Sequence, residues 1–220
     1  YYKHSYGFRP KRNAHQMVDA AGKFINAGYS ICLDVDIRKF FDNVDHRILM
    51  RFLARRIQDG RLLRTIKEIL KAPIWENGQL TKAKIGCPQG SPLSPLLANV
   101  YLSSLDLFFI KKTMYKESVL LRYADDILVV ARPEFAGKAR MVLKEGLKWL
   151  KLEANPEKSR IFDLNKPGRR ITILGFDIIR YRDGKLVTLP SRKATKSFKA
   201  KLRSIICRNN PSDIKDIVKA

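Results

Sequence analysis

Ser118-Val119-Leu120-Leu121-Arg122-Tyr123-Ala124-Asp125-Asp126-Ile127-Leu128-Val129-Val130-Ala131 holds two acids between two apolar runs. The flanks, Ser118 to Arg122 and Ile127 to Ala131, are aliphatic and β-branched enough to be strands, so the spacing predicts a hairpin with Tyr123-Ala124-Asp125-Asp126 at its tip. Adjacent carboxylates at an exposed turn repel each other, and hairpin chemistry does not ask for them. A cation would relieve the repulsion, a magnesium pair being the first candidate. A solvated turn is the plainer reading, because Asp favours turns in any case.

Upstream, Ile31, Leu33 and Val35 alternate with Cys32, Asp34 and Asp36, which predicts a strand with both carboxylates on one face. Before it, Asn13 and Gln16 resemble a capping box, and Ala14, Met17, Val18, Ala21, Phe24 and Ile25 form a helical stripe closed by Gly28. After it, Asp45 can cap a helix carrying Ile48, Leu49, Phe52, Leu53 and Ile57, which Asp59-Gly60 ends. A basic helix over about 61–71 follows, and then a hairpin over 73–85 turning at Asn77-Gly78. The run Gly86-Cys87-Pro88-Gln89-Gly90-Ser91-Pro92-Leu93-Ser94-Pro95 is a rigid turn that opens a helix bearing Leu96, Leu97, Val100, Tyr101, Leu105, Phe108 and Phe109.

Downstream of the hairpin, Ala139, Val142, Leu143, Leu147 and Leu150 define another helix, stopped by Asn155-Pro156 before a short strand over 159–164. Residues 170–189 read as a second hairpin with Asp183-Gly184 as its turn. Pro190-Ser191 opens a helix with Phe198, Leu202 and Ile205 on one side, and Pro211-Ser212 starts one more with Ile214, Ile217 and Val218. This order predicts an α+β fold, an antiparallel sheet with helices on one face and the other face open. Should the first strand pair with the hairpin, Asp36 and Asp125 would lie side by side on that open face.

Composition narrows the function. Among 220 residues, 44 Lys and Arg against 21 Asp and Glu give a net charge of +23, which implies a polyanionic partner. The basic residues are spread along the chain and not gathered on one amphipathic helix, so nucleic acid is favoured over membrane. They are densest at 191–210, where Arg192, Lys193, Lys196, Lys199, Lys201, Arg203 and Arg208 meet no acid. A solvated face of that kind would repel itself, which favours phosphate contact. There is no run of about 18 apolar residues and no signal peptide. Cys32, Cys87 and Cys207 form no Cys-x-x-Cys pair, and the three histidines, His4, His15 and His46, have no metal spacing. Trp75 and Trp149 are expected in or over the core. The opening at Tyr1 reads as an excerpt without its N-terminal part.

Two Mg²⁺ ions about 3.5–4 Å apart can clamp the attacking and leaving oxygens of an in-line phosphoryl displacement. Asp36 and Asp125 are the natural bridging pair, with Asp126 as helper. Asp34 shares a face with Asp36, and spacing leaves both open.

In this order the segments resemble the reverse transcriptase family. Asp36-Ile37-Arg38-Lys39-Phe40-Phe41-Asp42 resembles its first catalytic motif and Tyr123-Ala124-Asp125-Asp126 its second. Pro88 to Pro95 resembles the intervening substrate-binding turn, and Asn155-Pro156-Glu157-Lys158-Ser159 the motif after the hairpin. Ile173-Leu174-Gly175-Phe176 is similar to the primer grip, and Ser5 to Pro10 to a fingers segment common in group II intron enzymes. The resemblance covers nearly the whole chain. It implies a right-hand polymerase palm at 31–190, with a fingers insertion at about 45–90, further fingers at 1–30, and the start of a basic helical thumb at 191–220.

The resemblance also assigns residues. It selects Asp36 over Asp34 and implies Asp36, Asp125 and Asp126 as catalytic, with Ile37 beside them among the metal-holding residues. Two Mg²⁺ ions would be the cofactor, with Mn²⁺ able to substitute. Phe41 would be the steric gate that selects dNTPs, while Gln89, Gly90 and Lys158 would lie at the incoming nucleotide. Tyr123, Leu174, Gly175 and Phe176 would line the primer, and the thumb cations, Arg192 to Arg203, the duplex. Asp34 is then structural, and Asp42 and Asp45 belong to a turn and a cap.

The implied activity is RNA-directed DNA synthesis from an RNA template, a DNA or RNA primer and dNTPs. A maturase that retains the fold for RNA splicing is the alternative. A structured intron RNA or defence-system proteins are further candidate partners, and the setting would be prokaryotic cytoplasm or an organelle. The turn Gln89 to Pro95 departs from the commonest group II intron pattern, so CRISPR-associated and other domesticated relatives also fit.

Overall fold

In the computed structural model, which describes residues 2–76, 79–82, 85–88 and 90–206, the chain begins with α1 (Ala14–Asn26), β1 (Ile31–Val35), α2 (His46–Ala54) and α3 (Gly60–Lys71). The hairpin β2 (Pro73–Glu76) and β3 (Gln79–Lys82) precedes α4 (Ser94–Lys112), β4 (Ser118–Tyr123), β5 (Asp126–Ala131) and α5 (Ala136–Trp149). Then come β6 (Arg160–Asp163), β7 (Arg170–Ile173), β8 (Phe176–Arg180), β9 (Leu186–Pro190) and α6 (Arg192–Ile205). Local chemistry sets many of these bounds. Asn13 and Gln16 exchange both bonds of a capping box at α1. Asp45 accepts from the N–H groups of Arg47 and Ile48 at the start of α2, and Asp59 from those of Arg61 and Leu62 at α3. Asp59-Gly60 therefore opens the third helix, whereas α2 has already ended at Ala54.

Four strands form the central antiparallel sheet in the order β4-β5-β1-β6. The expected pairing of the first strand with the hairpin is present, with Ile31 opposite Ala131 and Val35 opposite Ile127. The period of two then divides the sheet residues between two cores. Leu33, Leu120, Ile127 and Val129 pack with α2, α4 and α5. Cys32, Val119, Leu121, Leu128 and Val130 pack with Met17, Val18, Ala21 and Ile25 of α1 and with Ile171, Ile173 and Ile178 of a second sheet. Most of the face expected to be open is thus covered, because its alternate residues are as apolar as those of the helical face. The end of the sheet that carries the acids remains uncovered.

Two further expectations are corrected. Residues 170–190 form two hairpins instead of one, since Leu174 and Gly175 (φ 48° and 82°) make a tight left-handed turn between β7 and β8. Leu96 on α4 is exposed and does not pack under the sheet. Trp149 takes the covering position expected of it, stacked on Phe108 with ring centroids 5.7 Å apart. The Asn77-Gly78 turn, Cys207, Arg208 and the helix expected after Pro211 lie outside the described residues. Cys32 and Cys87 are buried and unpaired, and among the described residues no helix is long and apolar enough to cross a membrane.

The most consequential contact involves a charge. Arg122 follows Leu120 by two residues, so it points to the helical side of the sheet, where it has no exposed surface. Its guanidinium donates bidentately to Asp106 on α4 (2.9 and 2.7 Å), and to Asn99 Oδ1 on the same helix at 2.9 Å. It also donates to the Ala124 carbonyl in the hairpin turn at 2.9 Å. Breaking a buried pair leaves an uncompensated charge, which costs about 3–5 kcal/mol. Asp106→Ala is therefore expected to lower unfolding stability by about that amount, read as a fall in the urea midpoint at unchanged slope.

Candidate active site

The hairpin turn consists of Ala124 and Asp125, with Tyr123 and Asp126 as its closing pair and Ala124 at φ 56°. Such a positive φ is strained for a residue with a Cβ, and three contacts hold it. Arg122 grips the Ala124 carbonyl from below. Residues 4–6 run beside β4, with Tyr6 N–H donating to the Arg122 carbonyl (2.8 Å) and Arg122 N–H to that of His4 (2.9 Å). Gly7 then lies directly against the Ala124 main-chain nitrogen, where a Cβ would overlap it, and Asn99 Nδ2 holds the Gly7 carbonyl at 2.8 Å. Gly7, Asn99, Asp106 and Arg122 were not singled out by sequence reasoning. The usable signal was polarity at two core positions of α4 and a lone Arg in an apolar strand.

Register brings the first acid to this turn. One step beyond the Val35–Ile127 pair, Asp36 comes level with Asp126. The chain then leaves the sheet through a loop that the Asn155 segment clasps. Asn155 N–H donates to the Asp36 carbonyl (2.8 Å), Arg38 N–H to that of Glu153 (2.9 Å), and Ile37 bridges Ala154. This clasp brings Lys158 Nζ to 3.8 Å from Asp36 Oδ2. Lys39 at φ 43° starts the helical turn Phe40–Asp42. Within it Phe40 is core, while half-buried Phe41 contributes to the cleft wall. Gly86 (φ 94°) and Cys87 fix that turn from outside, Cys87 N–H donating to the Phe41 carbonyl at 2.7 Å.

One cleft of about 450 Å³ thereby gathers Asp36, Ile37, Phe41, Asp125 and Lys158. Ile37 buries its side chain in the core, so only its main chain can face the cleft. Asp126 adjoins this group at the sheet end. Gly90 lies in an exposed turn and does not line the cleft, and Gln89 lies outside the described residues. Tyr123, Leu174 and Phe176 pack together against the second core, with Gly175 holding Ser191 N–H through its carbonyl at 2.8 Å. The cations Arg192, Lys193, Lys196, Lys199, Lys201 and Arg203 stand on the exposed surface of α6, apart from the cleft. His4, His15 and His46 have structural roles, toward Tyr6 and Tyr115, Phe176, and the Gly86 carbonyl.

The gathered acids disturb one another. Asp34 is held up at about 6, first by burial and then by Asp126 and Asp36, with Arg160 opposing. Asp126 is raised by burial, then by Asp125 and Asp36. Among the described residues no three such side chains converge tightly enough to cage an ion by themselves. That arrangement suits Mg²⁺, which binds through one or two carboxylates and completes its octahedron with water and substrate phosphates. The mutual repulsion is the observation that fits a divalent ion here, and the oxygen-only donor set fits a hard one.

Known proteins share this sequence and this fold in part. The profile of the family described as reverse transcriptase (RNA-dependent DNA polymerase) matches residues 1–178. Group II intron-encoded protein LtrA of Lactococcus lactis subsp. cremoris is 39% identical over 110 residues, 50% of this chain and 18% of that protein. Protein YkfC of Escherichia coli K12 is 27% identical over 92% of this chain and 63% of its own length. The chain thus spans less than two thirds of either relative. Among solved structures, a telomerase from Candida albicans in complex with a TWJ fragment of telomeric RNA aligns with a TM-score of 0.63 at 13% identity, over 98% of this chain and 41% of that one. An apo telomerase from Candida tropicalis aligns with a TM-score of 0.64 at 14% identity, over 86% and 41%. These two likenesses concern the fold.

The raised Asp34 carboxyl has a definite sign. Its folded pKa of about 6 lies above the unfolded value of 3.8, so its contribution to stability is complete below 3.8 and disappears as pH rises through about 6. Carboxyl NMR should give an Asp34 midpoint near 6, and Asp126→Asn should lower it by removing a like charge.

Proposed function

The chain belongs to the reverse transcriptase (RNA-dependent DNA polymerase) family, and from that premise we propose that it extends a primer 3′-OH with dNTPs along an RNA template. The observation that carries this reading is the register that sets Asp36 level with Asp126 and beside Asp125, at an uncovered end of the central sheet. When bound there, divalent metal would polarise the triphosphate and lower the pKa of the attacking hydroxyl. Asp36 and Asp125 would hold it across the cleft, Asp126 would add charge from the side, and the Ile37 carbonyl would complete the protein's share. Two Mg²⁺ ions fit this role, with Mn²⁺ as a substitute.

The remaining cleft residues act on the nucleotide. Lys158, tethered near Asp36 through the Asn155 clasp, would neutralise phosphate charge or donate a proton to departing pyrophosphate. Phe41 would lie under the sugar, an apolar ring that leaves a 2′-hydroxyl without room or partner. Gln89 and Gly90 would adjoin the same nucleotide. Tyr123 and the Leu174-Gly175-Phe176 turn would support the primer strand from the second core, and the α6 cations would hold duplex phosphates as the first part of a thumb. Residues 31–190 would then be palm, with fingers at 1–30 and about 45–90. The intron-encoded relative supports placement in the group II intron-like lineage, and with it a structured RNA partner and a prokaryotic or organellar setting.

Primer extension with Mg²⁺ tests the reading. Asp36→Asn and Asp125→Asn should each lower the rate on the order of 10³-fold, the scale of losing about 4 kcal/mol of transition-state stabilisation. Template binding by filter retention should stay within a few-fold, and activity surviving in both variants would refute the assignment. Phe41→Ala should admit rNTPs, raising their kcat/KM relative to dNTPs by roughly 10–100-fold.

A further inference from the structure

A second and larger cavity, of about 890 Å³, opens on the helical side of the sheet between β6 and α5. Its wall is mainly apolar, with Leu33, Val35, Leu147 and Ile161 among its members, and Ile161 is 55% exposed. Its rim is cationic. Arg140, Lys144 and Lys148 stand four residues apart on α5, a spacing at which like charges repel. Arg38, in the loop after β1, and Arg160 on β6 also border the cavity. The acids on the lining are Asp34 and Glu153, while Lys151 is engaged by Asp45 at 2.6 Å. Nothing in the polymerase reading uses this cavity, and the inference does not rest on that reading.

β6 is also an edge strand, paired only with β1 among the described residues. Leu164 N–H donates to the Ser30 carbonyl, which sets the antiparallel alternation. Phe162 and Arg160 therefore face β1, and the N–H and C=O groups of Ile161 and Asp163 face outward. A row of outward main-chain groups beside an apolar cavity and a cationic rim matches a peptide strand, which supplies its own main chain, an aliphatic anchor and acids. A nucleic acid would match the rim and leave the edge and the apolar wall unused.

We propose that β6 and this cavity form a docking site for an acidic peptide segment of a partner protein. The segment adds to the free edge of β6, places an aliphatic side chain against Ile161 and Leu33, and sets carboxylates toward Arg140, Lys144 and Lys148.

Fluorescence polarisation on the whole chain, at an ionic strength of about 0.15 M, tests this. The probe is a labelled peptide whose alternate positions read Glu, Leu, Leu, Glu with serine between. A peptide of equal charge with serine in place of both leucines should bind at least about tenfold more weakly. Ile161→Pro removes an outward donor without touching the β1 ladder, and should weaken the leucine peptide about tenfold. Arg140→Ser with Lys144→Ser, both exposed, should do the same while leaving binding of a labelled twelve-nucleotide oligothymidine unchanged. Equal binding of the two peptides, or no loss in either variant, overturns the proposal. So does a loss of oligothymidine binding in the α5 variant without loss of the peptide, which would make the rim a nucleic-acid face.

Discussion

The guanidinium of Arg122 is the point at which three separate parts of the chain are locked together. An ion of this kind loses its hydration on burial, at an effective cost of several kcal/mol. Here every partner is charged or strongly polar, and they come from α4 and from the turn of Arg122's own hairpin. Because Asn99 also holds the Gly7 carbonyl, the N-terminal strand, the rotation of α4 and the conformation of the Ala124-Asp125 turn become one problem with one solution. An apolar replacement of Arg122 and Asp106 could fill the space. It would leave the Ala124 carbonyl unpaired and the positive φ of that residue without its hold.

At the end of the same sheet lies a cluster of like charges. Asp34, Asp36, Asp125 and Asp126 are collected at one end of the sheet by register and by a two-residue turn, both of which the cores on either face fix firmly. Left to themselves, like charges so close together would separate. They stay because moving any of them means slipping β1 against β5, and a slip by one residue would exchange Leu33 and Val129 for Cys32 and Val130 between two filled cores. The packing energy of the sheet thus maintains a cluster of like charges that a bound cation would relieve.

Much of this was legible in the chain itself. The capping box at Asn13, the hairpin at Ala124-Asp125 and the helix over residues 136–149 each rest on short-range chemistry, and each appears where that chemistry puts it. Pairing of β1 with β5 could be posed from sequence but not decided, because alternation sets a strand's faces and not its neighbour. The covered second face was missed for a related reason. Cys32, Leu128 and Val130 read equally well as residues of a sheet open on one side and of one buried on both. Leu174 concealed a turn, since a branched residue at positive φ gives no sequence signal. Arg122 was hidden most thoroughly, because a charge in a strand reads as an edge or surface residue until Asp106 and Asn99 are seen beside it. In the same way the motif residues could be assigned to a cleft by resemblance, while the residues that hold the cleft in shape carried no motif.

The net charge of +23 describes the whole chain and does not say what any one face is for. Helices α5 and α6 make the point, since both carry more cations than acids. On α6 the basic residues surround Phe198 and Leu202 on an exposed helix that buries none of its residues. A repeating polyanion can follow such a surface by phosphate contacts alone. On α5 the cations border a hollow whose wall is apolar and whose far side is an edge strand. Similar charge on surfaces of different shape selects different partners, because an apolar wall gains from burial only if the partner brings apolar surface to it. The two helices are therefore distinguished by what lies between their cations, and that difference comes from tertiary packing rather than from the count of lysines.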